Sequence, residues 1–163
     1  MSALAPRATA GLQLSAMRSG DLAEVLAIEQ HAYASPWSQG NFIDSLAAGY
    51  LAFVLRDAQQ RLQGYFLAMK GVDEMHLLNI TVAPAAQGRG LARLMLDALC
   101  RLCRDEDCAQ LWLEVRVSNE RARQVYLRYG FAEVGLRRAY YPMPPGQPRE
   151  DAVLMSLALE EAA

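Results

Sequence analysis

From Leu77 to Leu99 the chain reads LLNITVAPAAQGRGLARLMLDAL, an apolar run, a turn with two glycines and a helical pattern in immediate succession. The run is apolar on both faces (Leu77, Leu78, Ile80, Val82), which predicts a central strand covered on both sides. Pro84 ends it. From Gly90 on, Leu91, Leu94, Met95, Ala98, Leu99 and Leu102 recur at helical spacing, with Arg93, Asp97 and Arg101 opposite. In between, Gln87-Gly88-Arg89-Gly90-Leu91-Ala92 lets the backbone turn with positive φ and turns successive N–H groups toward one concavity, at the positive end of a helix. Such a nest binds a phosphate or pyrophosphate. An ordinary strand-to-helix turn has the same residues, and the turn alone does not separate the two readings. Two other glycine loops are excluded. There is no Gly-Lys-Ser/Thr of a Walker loop, and Arg93 stands where the dinucleotide fingerprint has its third glycine.

With 163 residues, 53% of them hydrophobic, the chain suffices for one well-buried core and is too short for two ordinary domains, so a single domain over 1–163 is expected, with 1–10 a loose tail. A net charge of -2 and a pI near 5.7 argue against a nucleic-acid surface as its main business. No apolar run approaches the roughly 18 residues of a membrane span, and the first residues lack an apolar signal core. A soluble cytoplasmic chain with no membrane partner is expected, a monomer being favoured. Cys100, Cys103 and Cys108 lie close together, but a fourth ligand is missing nearby and the first two fall on or beside an apolar helix face. Reduced, partly buried thiols are expected rather than a metal site, and the odd count fits a reducing compartment.

In chain order, Leu12–Met17 alternates as a first strand. Asp21 with Glu24 reads as a capping box that opens a helix to about Tyr33, its buried side supplied by Leu22, Val25, Leu26 and Ile28. Pro36 stops that helix, and Ser38 caps a short second one carrying Phe42, Ile43 and Leu46. Tyr50–Arg56 and Leu62–Lys70 form a hairpin about the polar turn Asp57–Arg61. After the 77–99 unit come a strand, Leu111–Val117, and a helix capped by Ser118 and ended by Gly130. The closing strands are Phe131–Arg138 and Ala152–Leu159, joined by a proline-rich loop, Tyr141–Pro148. The order β-α-α-β-β-β-α-β-α-β-β gives an α/β sandwich on a mixed sheet.

Two side chains could carry chemistry. Glu114 sits between Leu113 and Val115 in a core strand, which is costly unless it faces a wet cleft, where burial would raise its pKa toward that of a useful base. The alternative is an ion pair with Arg116 on the same strand face. Tyr126 shares a helix face with Asn119, Ala122 and Tyr129. A tyrosine there is usually core, yet its phenol is a sensible proton source for a thiolate. Trp37 is either a core plug or a wall of a binding groove.

The spacing Gln87-x-x-Gly90-x-Ala92 resembles the Gln/Arg-x-x-Gly-x-Gly/Ala signature of the GCN5-related N-acetyltransferases (GNAT), with Ala92 in place of the more usual glycine. Pro36-Trp37-Ser38, Asn79-Ile80-Thr81-Val82, Leu111-Trp112-Leu113-Glu114-Val115-Arg116-x-Ser118-Asn119, Tyr126-x-x-x-Gly130-Phe131, Arg137-Arg138-x-Tyr140-Tyr141-Pro142 and Arg149-Glu150-Asp151-Ala152 resemble the bacterial branch that acetylates the N-terminal alanine of small-subunit ribosomal protein 18. The likeness covers nearly the whole chain. It implies the GNAT fold, a mixed, mostly antiparallel central sheet flanked by helices, with acetyl-CoA as cosubstrate and no metal. By the same resemblance Gln87, Gly88, Arg89, Gly90, Leu91, Ala92 and Arg93 hold the pyrophosphate. Ile80, Thr81 and Val82 lie along the pantetheine and thioester, with the Val82 N–H as oxyanion donor, and Asn119 touches the cofactor. Glu114 is then the base, Tyr126 the acid, and Trp37, Tyr140 and Tyr141 wall the acceptor groove. The implied acceptor is a protein N-terminus that begins with alanine followed by a basic residue. Its rivals are another N-terminus, a lysine or small amine, or no reaction at all in a CoA-binding module. Retention of both Glu114 and Tyr126 argues against the last.

Overall fold

The computed structural model describes residues 11–159, so the tail expected over 1–10 lies outside the described residues. Eleven regular elements follow in the expected order: β1 (Gln13–Ala16), α1 (Leu22–Ala32), α2 (Gln39–Ala47), β2 (Leu51–Arg56), β3 (Leu62–Lys70), β4 (Glu74–Val82), α3 (Leu91–Asp105), β5 (Gln110–Arg116), α4 (Glu120–Tyr129), β6 (Ala132–Tyr141) and β7 (Glu150–Ala158). The strands form one sheet in the order β1-β2-β3-β4-β5-β7-β6. β4 and β5 are parallel, whereas β1–β2, β5–β7 and β6–β7 are antiparallel, which is the mixed, mostly antiparallel sheet that was expected. No helix among the described residues is long and apolar enough to cross a membrane. The chain divides into two compact units, residues up to 67 with 79–95, and residues 68–78 with 96 onward.

In the first unit, Val25, Phe42, Val54, Tyr65 and Leu67 form the centre of an apolar core, with Trp37 and Leu46 packed against it. Ser38 caps α2 as expected, its Oγ accepting the Asn41 N–H at 3.1 Å while Asn41 Oδ1 accepts the Ser38 N–H at 2.9 Å. The capping box expected of Asp21 and Glu24 does not form. Asp21 Oδ2 accepts the Arg18 N–H, and Arg56 Nη2 reaches Asp21 Oδ1 at 2.8 Å and Glu24 Oε1 at 3.0 Å. The guanidinium fork of Arg56 offers both carboxylates charge-assisted bonds, stronger than a bond to a helix N–H, and so ties α1 to β2.

In the second unit, β5 buries Leu111, Leu113 and Val115 and leaves Trp112, Glu114 and Arg116 half-buried on its other face. Met75 and Leu77 of β4 pair in register with Leu111 and Leu113. The cap of α4 is Asn119 rather than Ser118. Asn119 Oδ1 accepts the Ala122 N–H at 3.2 Å, while the Ser118 N–H is drawn to the Glu150 carboxylate at 2.9 Å. Gly130 ends the helix at φ +125°. β6 runs on to Tyr141 and β7 starts at Glu150, beyond the expected ends, because the Tyr141–Glu150 pair extends the ladder past an irregularity after Arg137. The three cysteines are buried free thiols. Burial raises the pKa of each, that of Cys103 to about 12, and so keeps them protonated.

Candidate active site

The glycine turn lies in the first unit. Gly88 and Gly90 take φ +80° and +77°, with Arg89 between them at an ordinary negative φ. A Cβ on either glycine would meet nothing within 4 Å, so the requirement for glycine is conformational and not steric. The Gly90 carbonyl accepts the Leu94 N–H at 3.1 Å and so begins α3. Gln87, Gly88, Arg89, Gly90 and Arg93 are exposed, and Ala92 is half-buried. The Leu91 side chain is sunk in the core, which leaves only its main chain to face a ligand. A left-handed glycine on each side of Arg89, set before a helix, is the backbone conformation of an anion nest.

The strand leading into that turn is not apolar on both faces. Ile80 and Val82 are half-buried on one side, but the fully buried side carries Asn79 and Thr81. These two belong to a hydrogen-bonded network that the sequence reading missed. Glu29, 1% exposed, accepts from Tyr65 Oη at 2.7 Å, from Asn79 Nδ2 at 3.0 Å and from the Trp37 main-chain N–H at 2.9 Å. Thr81 Oγ1 donates to Asn79 Oδ1 at 2.8 Å and lies 2.7 Å from Tyr33 Oη, which also donates to the Ile80 carbonyl at 3.2 Å. The Thr81 side chain therefore points inward, so only its main chain could lie along a thioester arm. Trp37 is half-buried, its ring 5.1 Å from Phe42, so it is a core plug whose backbone is anchored to Glu29. A cavity of about 530 Å³ lined by Trp37, Asn41, Asp44 and Tyr50 opens beside it. Two signals of the network were present in the sequence: Glu29 follows Leu22 and Val25 at helical spacing, and Asn79 and Thr81 alternate within an apolar strand.

The second unit gathers Glu114, Arg137, Tyr140 and Tyr141. The ion pair with Arg116 that was the alternative for Glu114 is not made. Arg116 Nη1 instead pairs with Glu150 at 3.0 Å. The Glu114 side chain is 6% exposed, and His76 Nε2 of β4 meets its Oε2 at 2.5 Å. Arg137 Nε of β6 lies 3.2 Å from Oε1 but is not aligned for a hydrogen bond, so Oε1 is buried and accepts none from any described residue. The indole Nε1 of Trp112, on the same strand face, is likewise buried and has no hydrogen-bond partner among the described residues. Tyr126 sits half-buried on α4 with its ring edge-on to Phe131, centroids 5.7 Å apart. Asn119 Oδ1 is engaged by the cap through one of its two lone pairs. Tyr129 is committed elsewhere, its hydroxyl donating to Asp97 at 2.7 Å.

Tyr140 and Tyr141 pack edge to face at 4.9 Å, with the Arg137 guanidinium over the first ring and that of Arg116 over the second. Burial, and then the Glu114 charge, hold the Tyr141 phenol above the usual tyrosine range. Ala139 takes φ +50° in the β6 irregularity. Its N–H donates to Asp151 Oδ1 at 2.8 Å, and Arg149 donates to the Ala139 and Tyr140 carbonyls at 3.1 and 3.0 Å. Arg149 and Asp151 thus hold the bulge that presents the tyrosines, while Glu150 between them secures Arg116 and the Ser118 N–H.

The acetyltransferase (GNAT) family matches over residues 22–131. A curated relative, the [ribosomal protein bS18]-alanine N-acetyltransferase of Escherichia coli K12, is 38% identical over 146 residues, covering 90% of this chain and 97% of that one. The protein of the same description from Haemophilus ducreyi is 37% identical over 139 residues, covering 85% and 94%. Among solved structures, the ribosomal-protein-S18-alanine N-acetyltransferase of Escherichia coli superposes with a TM-score of 0.82 at 36% identity, covering 93% of this chain and 96% of that one. Ard1 of Thermoplasma volcanium, at 22% identity and a TM-score of 0.81 over 93% and 99% of the two chains, shares the fold.

Proposed function

The chain belongs to the acetyltransferase (GNAT) family, and from that premise we propose that it transfers the acetyl group of acetyl-CoA to the N-terminal alanine of small-subunit ribosomal protein bS18. The observation that carries this reading is the 38% identity over 90% of the chain to an enzyme described by that reaction. The site chemistry supports it, since a buried carboxylate with one oxygen that accepts no hydrogen bond from the described residues suits removal of a proton from an amine. The passage of β3, β4 and α3 through both compact units favours one catalytic domain.

Acetyl-CoA supplies an acyl carbon and a thiolate leaving group. The amides of Gly88 to Ala92, with Arg89 and Arg93, hold its pyrophosphate, and Asn119 adds a contact. The acceptor arrives as an ammonium and must lose two protons as the C–N bond forms and the C–S bond breaks. Glu114 takes one at Oε1 and passes it to solvent. The other reaches the sulfur by way of the Tyr126 phenol, which is reprotonated from the amine. The main-chain N–H of Val82 steadies the oxyanion. Tyr140 and Tyr141, the exposed and half-buried rings presented by the β6 irregularity, shape the approach of the acceptor chain. The test is the intact mass of ribosomal proteins from a strain that lacks this gene. Loss of one acetyl group from bS18 alone is the expected result, and an unchanged bS18 overturns the acceptor assignment.

A further inference from the structure

Resting on the reading of Glu114 as the base, we propose that His76 is its positioning residue, dividing the two carboxylate oxygens so that Oε2 is held and Oε1 is left for the acceptor amine. An ionised carboxylate only accepts hydrogen bonds, so with Glu114 ionised as a base must be, the 2.5 Å contact has His76 donating from Nε2 to Oε2. Oε1 is then the oxygen of Glu114 that accepts no hydrogen bond from the described residues; it is buried, with Arg137 Nε 3.2 Å away but not aligned to donate. The two side chains come from adjacent parallel strands. His76 pairs in register with Trp112, and Glu114 follows two residues later on the same face of β5. Both backbones are fixed by sheet hydrogen bonds, so the Nε2–Oε2 bond leaves the carboxylate one orientation. A buried carboxylate that rotates freely would meet the amine in the wrong geometry for much of the time, and lost orientation is costly to a proton transfer. The side chain of His76 is 25% exposed against 6% for Glu114, so the imidazole reaches water more directly than the carboxylate.

Arg137 and Tyr141, both of β6, also face Glu114. Burial and the Glu114 charge keep the Tyr141 phenol protonated. A proton added to His76 would place a second cation against Glu114 and weaken it as a base.

The experiment measures kcat, the KM for acetyl-CoA and the KM for an N-terminal Ala-Arg peptide from about pH 6 to about pH 9, in the full-length wild type and in Glu114→Gln, His76→Leu and His76→Gln. Glutamine keeps an amide donor for Oε2 but does not titrate. Expected are a fall in kcat of at least about tenfold in His76→Leu with the KM for acetyl-CoA unchanged, partial rescue in His76→Gln, and an acid limb that moves to lower pH in the glutamine variant, since a carboxylate titrates well below an imidazole. A wild-type kcat and pH profile in both His76 variants, with Glu114→Gln inactive, overturns the positioning role and leaves the base in place. Full activity in Glu114→Gln overturns both. If His76→Leu does not fold, the acid limb of His76→Gln alone decides, and an unmoved limb overturns the proposal.

Discussion

The Tyr65 hydroxyl donates to the Glu29 carboxylate at 2.7 Å, in a site where Tyr65 is 0% and Glu29 1% exposed. Removing that donor in Tyr65→Phe strips one of three hydrogen bonds from a buried charge, and the expected cost is about 1–3 kcal/mol at neutral pH. Equilibrium urea unfolding measures it.

The same tyrosine gives the protein an alkaline limit. Burial first, and then the bond to Glu29 and its charge, raise the Tyr65 pKa above the usual 10.0. Tyr33, Tyr129 and Tyr141 are raised as well, in each case chiefly by burial. A folded-state pKa above the unfolded one means that above pH 10 the unfolded chain sheds phenolic protons that the folded chain retains. The stabilisation is therefore complete below the unfolded value and is lost as pH rises toward the folded one. The melting temperature is expected to fall progressively above pH 10, and to fall less steeply in Tyr65→Phe. Parallel slopes for the two proteins would contradict this.

Gly90 has room for a side chain but not the backbone for one, at φ +77°. Valine there must either bear strain of roughly 1–3 kcal/mol or pull the turn out of its nest. Affinity for coenzyme A, measured by calorimetry, is expected to drop at least about tenfold in Gly90→Val and much less in Arg89→Ala, because the main chain does most of the binding. Unchanged affinity in Gly90→Val would remove the turn from the cofactor site.

Glu114→Gln and Tyr126→Phe are expected to fail differently. Loss of the base costs roughly 100-fold or more at moderate pH, and part of it is regained as the α-amine deprotonates unaided near pH 7.7–8.0. Tyr126→Phe lowers kcat with coenzyme A affinity unchanged, the mark of a group used in the transition state. Full activity in Tyr126→Phe would leave the tyrosine as packing against Phe131.

What the sequence revealed and what it hid divide by range. The element order, the Ser38 cap and the positive φ of Gly88 and Gly90 depend on neighbours within a few residues, where periodicity and turn chemistry are visible. The Glu29 network joins residues 36 and 50 positions apart, and the Glu114–His76 pair residues 38 apart. No local pattern records such partners. Arg116 was a reasonable partner for Glu114 by strand spacing, and only the arrival of Glu150 from β7 diverts it. The misread caps differ in origin: Asp21 has a suitable side chain, but Arg56, distant in sequence, claims one of the carboxylate oxygens that a cap would use, whereas Ser118 gives way to its neighbour Asn119, whose Oδ1 takes the Ala122 N–H.

The left-handed Ala139 supplies the last test. An alanine at φ +50° carries steric strain that glycine does not, of roughly 1–2 kcal/mol, and here it is held by the Asp151 carboxylate on its N–H and by Arg149 on its carbonyl. If those bonds hold Ala139 against its own preference, Asp151→Ala lets the bulge relax and shifts Tyr140 and Tyr141. It should then raise the KM for the acceptor peptide more than that for acetyl-CoA, and lower stability by about 0.5–1.5 kcal/mol. Ala139→Gly removes the strain but adds entropy to the unfolded chain, so alone it should be close to neutral. In the Ala139→Gly background, where the left-handed conformation no longer needs to be enforced, Asp151→Ala should cost measurably less. A double-mutant cycle by urea unfolding reads that coupling directly. Strict additivity would mean that Asp151 contributes an ordinary hydrogen bond and does not hold the bulge in place.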